Sequence, residues 1–284
     1  MKWIFYVLVG MAGGILAGMG MGVPGVALAT VIAQAVSALL CFRKLMKMTE
    51  VFDITLEYLK PTKHHSFTMI RLGLPSGLTQ MIFSSAMIVV QSLTNQFGAQ
   101  FVAANVVIMR VDGFAMMPNF SFGTALTTFA GQNVGAGLYD RVTKGAKQGT
   151  LMAVGVSASI TLLILIFGKF LMGVFTDTAE LVDMSYKLML ILAVGYIAVA
   201  VTQSLSGIMR GAGDTMTPMW ISLITTVAIR VPVAYGISFL TRSEELPFGI
   251  PQCIQISLLC SWVIGAILTV IFYARGKWKT KAIK

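Results

Sequence analysis

Three polar residues, Asn105, Asp112 and Asn119, recur at intervals of seven in an otherwise apolar run. Seven residues make about two helical turns, so the three share one face. A carboxylate set between amides can hold a proton or a cation, or meet an opposite charge. Arg110 stands two positions from Asp112 and points elsewhere, while Arg230 lies two residues before Pro232 in a later apolar run. At about 1.5 Å per residue, Asp112 and Arg230 both fall ~15–17 Å from the ends of their runs, so they could meet. Two readings are open: an ion pair that holds helices together, or a titratable site that couples cation entry to substrate release. In the preceding run Gln80, Ser84, Gln91 and Asn95 share a face. They suit a cavity wall, although neutral amides also lock helices to one another. Tyr196 and Gln203, again seven apart, could join that wall.

The elements carrying these residues must be membrane helices. Hydrophobic residues make up 56% of the chain and charged ones 11%, with mean hydropathy +0.83. A soluble domain carries roughly 25% charged residues, so too little charge is present to cover a globule. Each apolar run is long enough for a bilayer, which takes about 20 residues, and backbone in hydrocarbon must satisfy itself within each helix. Strands of a barrel would be about 10 residues long and alternating, a pattern the sequence lacks. The expected fold is an all-α polytopic membrane protein with about eight transmembrane helices, near residues 3–18, 22–42, 72–95, 101–129, 147–174, 182–206, 216–240 and 252–274.

The loops suggest the orientation. Arg43, Lys44, Lys47, Lys60, Lys63 and Arg71 follow the second run, Arg141, Lys144 and Lys147 the fourth, and Arg275, Lys277, Lys279, Lys281 and Lys284 the last. The alternate loops hold no basic residue at 96–100, Asp177, Glu180 and Asp183 before the sixth run, and Arg242 against Glu244 and Glu245 near 241–248. Basic loops stay cytoplasmic, which puts the 43–71 loop and the C-terminus inside a bacterial-type inner (plasma) membrane. The net charge of +10 then reflects orientation and not nucleic acid. Met1 and Lys2 before an apolar run have the outline of a signal peptide, but a second apolar run follows at once and no A-x-A site intervenes, so 3–18 reads as a membrane helix. Val51, Ile54, Tyr58 and Leu59 suggest a short helix along the surface within 46–66, with His64 and His65 in the solvated linker.

Enzyme chemistry finds no residues to act with. Gly20-Met21-Gly22-Val23-Pro24-Gly25 matches a dinucleotide fingerprint but sits between two apolar helices instead of after a strand. Cys41, Cys253 and Cys260 form no C-x-x-C pair and have no histidine cluster beside them, so no metal is expected. Gly22-Val23-Pro24 and Gly249-Ile250-Pro251 each open an apolar run that ends in basic residues, 249 − 22 = 227 residues apart. Transporters are often built from repeated halves.

Several blocks in order carry a resemblance. They are the run GMGVPGVALAT at Gly20–Thr30 with Gln34, RLGLPSG at Arg71–Gly77, Ala103-Ala104-Asn105, Arg110-Val111-Asp112-Gly113-Phe114 with Pro118, GQNVGAG at Gly131–Gly137 with Asp140-Arg141, GIMRGAGD at Gly207–Asp214 with Pro218, and Arg230-Val231-Pro232. In these the sequence resembles the multidrug and toxic compound extrusion (MATE) family. The resemblance implies two six-helix lobes forming a V, exporting amphipathic, cationic drugs in exchange for Na⁺ or H⁺ and needing no other cofactor. It divides the chain into the last two helices of an N-terminal lobe (1–45), a cytoplasmic linker (46–70), a complete six-helix C-terminal lobe (71–275) and a basic tail (276–284). The expected partners are small cationic substrates, the lipid bilayer and the missing N-terminal lobe.

Two departures stand out. Some members carry an acidic cation ligand eight residues after the G-x-P proline, a position that falls on Phe83 here. The other family cation site uses an aspartate in the first helix of the first lobe, outside this sequence. The substrate or ion pathway is therefore expected among Gln80, Gln91, Asn95, Asn105, Arg110, Asp112, Asn119, Tyr196, Gln203 and Arg230. A lipid-linked oligosaccharide flippase of related fold would need a basic cavity, to which only Arg110 and Arg230 point. A nonfunctional transporter fragment is the other alternative. A reporter active only outside the cytoplasm should be active when fused after Glu245 and silent when fused after Lys284; the reverse result would invert the assigned orientation.

Overall fold

A chain in hydrocarbon has no water to bond its backbone, and in a computed structural model that describes residues 22–46, 62–276 and 278 each long apolar run among those residues is helical. The helices are α1 (Gly22–Met46), α2 (Lys63–Asn95), α3 (Ala99–Gly135), α4 (Tyr139–Gly173), α5 (Ala179–Ala193), α6 (Gly195–Gly211), α7 (Met216–Leu223), α8 (Val231–Leu240) and α9 (Cys253–Ala274). A π-helical segment, Ile224–Arg230, joins α7 to α8. Among the described residues six helices are long and apolar enough to cross a membrane, and α5 with α6, bent by 46°, passes the same test only as a pair. The protein is an all-α, multi-pass membrane protein. The span expected at 3–18, most of the linker helix within 46–66 and the last residues of the tail lie outside the described residues.

The chain divides into two compact units, 1–67 and 68–284. In the first, α1 presents a mainly exposed apolar surface, with Ala29 and Ala33 buried. The second holds the residues singled out above.

Four details differ from the expected elements. The α2 helix begins at Lys63, so His64 and His65 lie in its first turn instead of a loop. The fourth and fifth expected spans are longer than expected. They are joined by a three-residue turn in which Gly137 takes φ +73°, while Ala136, Gly137 and Leu138 donate back to carbonyls of the last turn of α3. Arg141, Lys144 and Lys147, expected in a loop, therefore stand on the first turns of α4. The span expected at 182–206 bends by 46° at Val194. There the Ala193 carbonyl accepts from Thr161 Oγ1 of α4 at 2.9 Å. Gly195 passes so close to Trp262 that a Cβ would come within 2.5 Å of the ring. The span at 216–240 is continuous but widens to π geometry just before Pro232, whose ring nitrogen cannot donate and whose bulk crowds the preceding turn. Within the widened segment the Thr225 carbonyl accepts from Ser261 of α9 at 2.7 Å.

The backbones of α3 and α6 come into direct contact. A Cβ on Gly207 would lie 2.4 Å from the Gly123 carbonyl, and one on Gly211 would lie 2.2 Å from that of Thr127. Small residues let membrane helices approach in this way, where dispersion and interhelical bonds replace the hydrophobic effect. The contacts keep one offset, since 207 − 123 = 84 and 211 − 127 = 84, so the two helices run parallel in a fixed register. The α4 helix runs the other way, with Gly149 against Leu126 and Gly145 against Phe129.

Two apolar clusters bracket the unit. One, around Phe101, Ile108, Leu188, Met189 and Tyr196, fills the half toward the start of α3. The other, around Leu126, Val142, Ile208 and Met209, fills the basic end and includes Trp278 from beyond α9. Trp278 is buried, stacks on Tyr273 at 5.4 Å and donates from Nε1 to the Tyr273 carbonyl at 3.2 Å.

Gly207→Ala and Gly211→Ala drive a methyl into a carbonyl that cannot swing away, and should each destabilise the unit by about 1–3 kcal/mol. Gly155→Ala, with no atom within 4 Å of the new methyl, should instead be stabilising by about 0.5–1 kcal/mol. Thermal unfolding in detergent, followed by a thiol-reactive dye at fully buried Cys253, separates the two outcomes.

Candidate functional site

The heptad stripe of α3 faces the interior of the second unit, and each of its members meets a different helix. Asn105 Oδ1 accepts from Gln255 Nε2 of α9 at 3.3 Å. Asp112 Oδ1 accepts from the Tyr196 hydroxyl of α6 at 3.0 Å. Asn119 Oδ1 accepts from the Ser157 hydroxyl of α4 at 2.6 Å. Burying an amide or a carboxylate without partners costs several kcal/mol, so these three bonds fix how α4, α6 and α9 seat around α3.

The centre of this column is charged. Tyr196 follows the break at Val194 directly and is fully buried. Its ring centroid lies 5.7 Å from that of Trp262 and its hydroxyl is 3.2 Å from the Met189 sulfur. It shares the α3–α6 register, since 196 − 112 = 84. Arg230 ends the π-helical segment and is 6% exposed. It lies close enough to Asp112 to act on it electrostatically, without an ion pair within 4 Å. Its Nη2 lies 3.9 Å from the Met87 sulfur of α2, and its Nε has no partner among the described residues.

The register also places Gln203, half-buried, level with Asn119, since 119 + 84 = 203, and the Gln203 carbonyl would lie 3.1 Å from a Cβ on Gly123. The remaining predicted residues are elsewhere. Gln80 and Arg110 are exposed. Gln91 is half-buried and donates to exposed Asn95 at 2.9 Å, a bond within one helix. Arg110 and Arg230 thus do not share one surface, since Arg110 is exposed and Arg230 is buried inside the unit. Phe83, at the position of the missing acidic ligand, is exposed.

Sequence reasoning passed over Gln255, Ser157 and Ser204. Gln255 was legible, as an amide three residues into an apolar helix. Ser157 sits among small residues that carry no distinguishing signal. Outside the column, Asp183 bridges Lys169 at 2.8 Å and Lys187 at 2.7 Å on an exposed face, where such pairs contribute little. A cavity of about 430 Å³ near the start of α3, lined by Phe97, Phe101, Met184, Lys187 and Leu188 among others, contains none of the expected pathway residues. No group of three His, Cys, Asp or Glu side chains is disposed to hold a metal among the described residues.

Comparison with known proteins follows this architecture. The MatE family model matches residues 75–236. The probable multidrug resistance protein YoeA of Bacillus subtilis is 29% identical over 268 residues, which cover 93% of this chain and 56% of that protein. The probable multidrug resistance protein NorM of Thermotoga maritima is 24% identical, over 93% of this chain and 55% of its own. A crystal structure of MATE in complex with MaL6 superposes with TM-score 0.85 at 21% identity, covering 98% of this chain and 62% of that one. The chain spans about half the length of the curated relatives it matches.

Tyr196→Phe removes the hydroxyl bonded to a part-buried carboxylate and should cost about 1.5–3 kcal/mol of stability. Combined with Asp112→Asn it should cost clearly less than the sum of the two, because the second change removes a partner already lost. Additive losses in the double-mutant cycle would mean that this bond contributes nothing.

Proposed function

Because the chain belongs to the MatE family, whose model matches more than half of it, we propose that it takes part in cation-coupled export of small amphipathic, cationic compounds across a bacterial-type inner membrane. Members of this family are transporters and not enzymes. In this reading residues 71–275 act as one helical lobe and 1–45 belong to a second, with 46–70 linking them. The two lobes rock to expose a shared cleft alternately to either side. The basic ends of the helices and residues 276–284 face the cytoplasm.

The observation that carries the reading is the charged centre inside a transmembrane bundle. A charge at mid-membrane is costly and is retained where it works on an ion or a substrate. Asp112 is held by one neutral donor and faces one guanidinium without closing an ion pair on it, an arrangement that can change charge state without dismantling the fold. The coupling ion of the proposal, Na⁺ or H⁺, acts at Asp112, and the substrate occupies the cleft between lobes.

The test is drug resistance in a host lacking its own exporters. This chain joined to a complementary lobe from a relative should raise the inhibitory concentration of cationic dyes several-fold, and Asp112→Asn should return it to background at equal protein level. Exchange of exposed Lys169 for Gln should leave resistance unchanged. Full resistance in the Asp112→Asn protein would end the coupling role of this carboxylate.

A further inference from the structure

The cavity near the start of α3 takes no part in the polar stripe, and its lining has a chemistry of its own. It holds about 430 Å³ between the turn into α3, the helix α5 and the start of α9. A volume of ~300–1,000 Å³ with an apolar wall and a few convergent polar groups is the usual form of a small-molecule site. The wall is made by Phe97, Phe101, Met184, Leu188 and Ile191. Phe101 and Leu188 are buried members of the apolar cluster, and the Phe97 and Phe101 rings meet edge to face at 5.3 Å. The mouth is polar. Gln100 is the second residue of α3 and Gln252 directly precedes α9. Both are exposed, and neither side-chain amide is hydrogen-bonded to another described residue. Lys187, also exposed, reaches back one turn to Asp183, with Nζ 2.7 Å from Oδ2. Asp183 is shared with Lys169, which lies outside the cavity, so two ammonium groups and one carboxylate leave one net positive charge. An ammonium has three N–H groups, and Lys187 keeps two of them for another acceptor.

Depth and charge decide which molecule fits. The mouth is level with the first residues of α3 and α9, where a span leaves hydrocarbon and lipid headgroups lie. The wall runs inward from there, as far as Ile191, which stands 191 − 179 = 12 residues, about 18 Å, into α5. An acceptor-rich group at the mouth and a hydrocarbon chain along the wall are the two ends of one phospholipid. The residues lining the cavity include no acid, so a cationic amphiphile gains nothing there, and the net positive charge favours an anionic headgroup over a zwitterionic one. We propose that this cavity is a site for an anionic phospholipid. Its phosphate accepts from Lys187 and from the amides of Gln100 and Gln252, the lysine bond being the charge-assisted and stronger one. One acyl chain lies against Phe97, Phe101, Leu188 and Ile191. Such a site needs neither the charge of Asp112 nor transport. Its place gives the lipid a mechanical role. Phe101 lies one turn before Asn105 and Gln252 three residues before Gln255, so the lipid ties α3 to α9 just outside the Asn105–Gln255 bond. It also ties both to α5 ahead of the break at Val194.

Native mass spectrometry of the full chain tests this. The protein in detergent is given equal amounts of phosphatidylglycerol and phosphatidylcholine with the same acyl chains, then stripped by rising collisional activation. One phosphatidylglycerol should outlast every phosphatidylcholine. Its retention should fall at least several-fold in Lys187→Gln, which removes the charge, and in Gln252→Glu, which sets an acid at the mouth. Both side chains are exposed, so both proteins should keep the parent's circular dichroism. Arg141→Gln, at the other end of the unit, should leave the tightest lipid in place. Equal retention of the two lipids, or an equal fall in Arg141→Gln and Lys187→Gln, would show only a general attraction of headgroups and overturn the site. Soluble glycerol phosphate should fail to displace the lipid, because it has no chain for the wall. Displacement by it would make this a site for free phosphate, and displacement by ethidium a site for cationic drugs, and either result overturns the lipid assignment. Phosphatidylglycerol should also raise the melting temperature of the parent by several degrees over phosphatidylcholine, and that of Lys187→Gln by clearly less. An equal rise in both proteins would remove Lys187 from the site.

Discussion

The unit is organised by a backbone-to-backbone contact. Where α3 and α6 cross, Gly207 and Gly211 leave no room for even a methyl group, and Gly123 leaves little. In lipid, where apolar surface gains nothing by hiding from apolar surface, so close a contact is what makes one register better than its neighbours. Everything at the charged centre inherits that register. The constant offset of 84 that seats Gly207 on Gly123 also brings the Tyr196 hydroxyl to Asp112 and sets Gln203 level with Asn119. The polar bonds are individually modest. They hold because the glycines have already settled the alignment.

Two irregularities then aim the side chains. The break at Val194 lets α5 and α6 follow different neighbours, with Thr161 bonding the carbonyl at its edge, and sets Tyr196 at the start of the second segment. The π-helical segment before Pro232 performs the same service for Arg230, with Ser261 bonding one of its carbonyls. In both places a neighbouring hydroxyl takes up a backbone acceptor that regular helix would have occupied. Departures from ideal helix are tolerated in a membrane under that condition.

Much of this was legible in the sequence. Length and hydropathy give the spans to within a few residues at most ends, because hydrocarbon permits few alternatives. The heptad spacing of Asn105, Asp112 and Asn119 gives their common face. It does not give the partners, since Ser157 and Gln255 belong to helices whose rotation only packing determines. The face shared by Gln80, Ser84, Gln91 and Asn95 is legible too, yet Gln80, Ser84 and Asn95 stay exposed, because periodicity reports a common side and not what lies against it. Pro232 hints at irregularity without specifying a widened helix. The basic character of the tail conceals Trp278, one buried aromatic among lysines.

The widened helix has a consequence for how such a protein can vary. A π-helical segment contains, in effect, one residue more than the same length of regular helix. Deleting a single residue between Ile224 and Ala228 would let the helix close to normal pitch while α7 and α8 keep nearly the same facing. The segment can therefore shed a residue without redesign of the interfaces on either side of it.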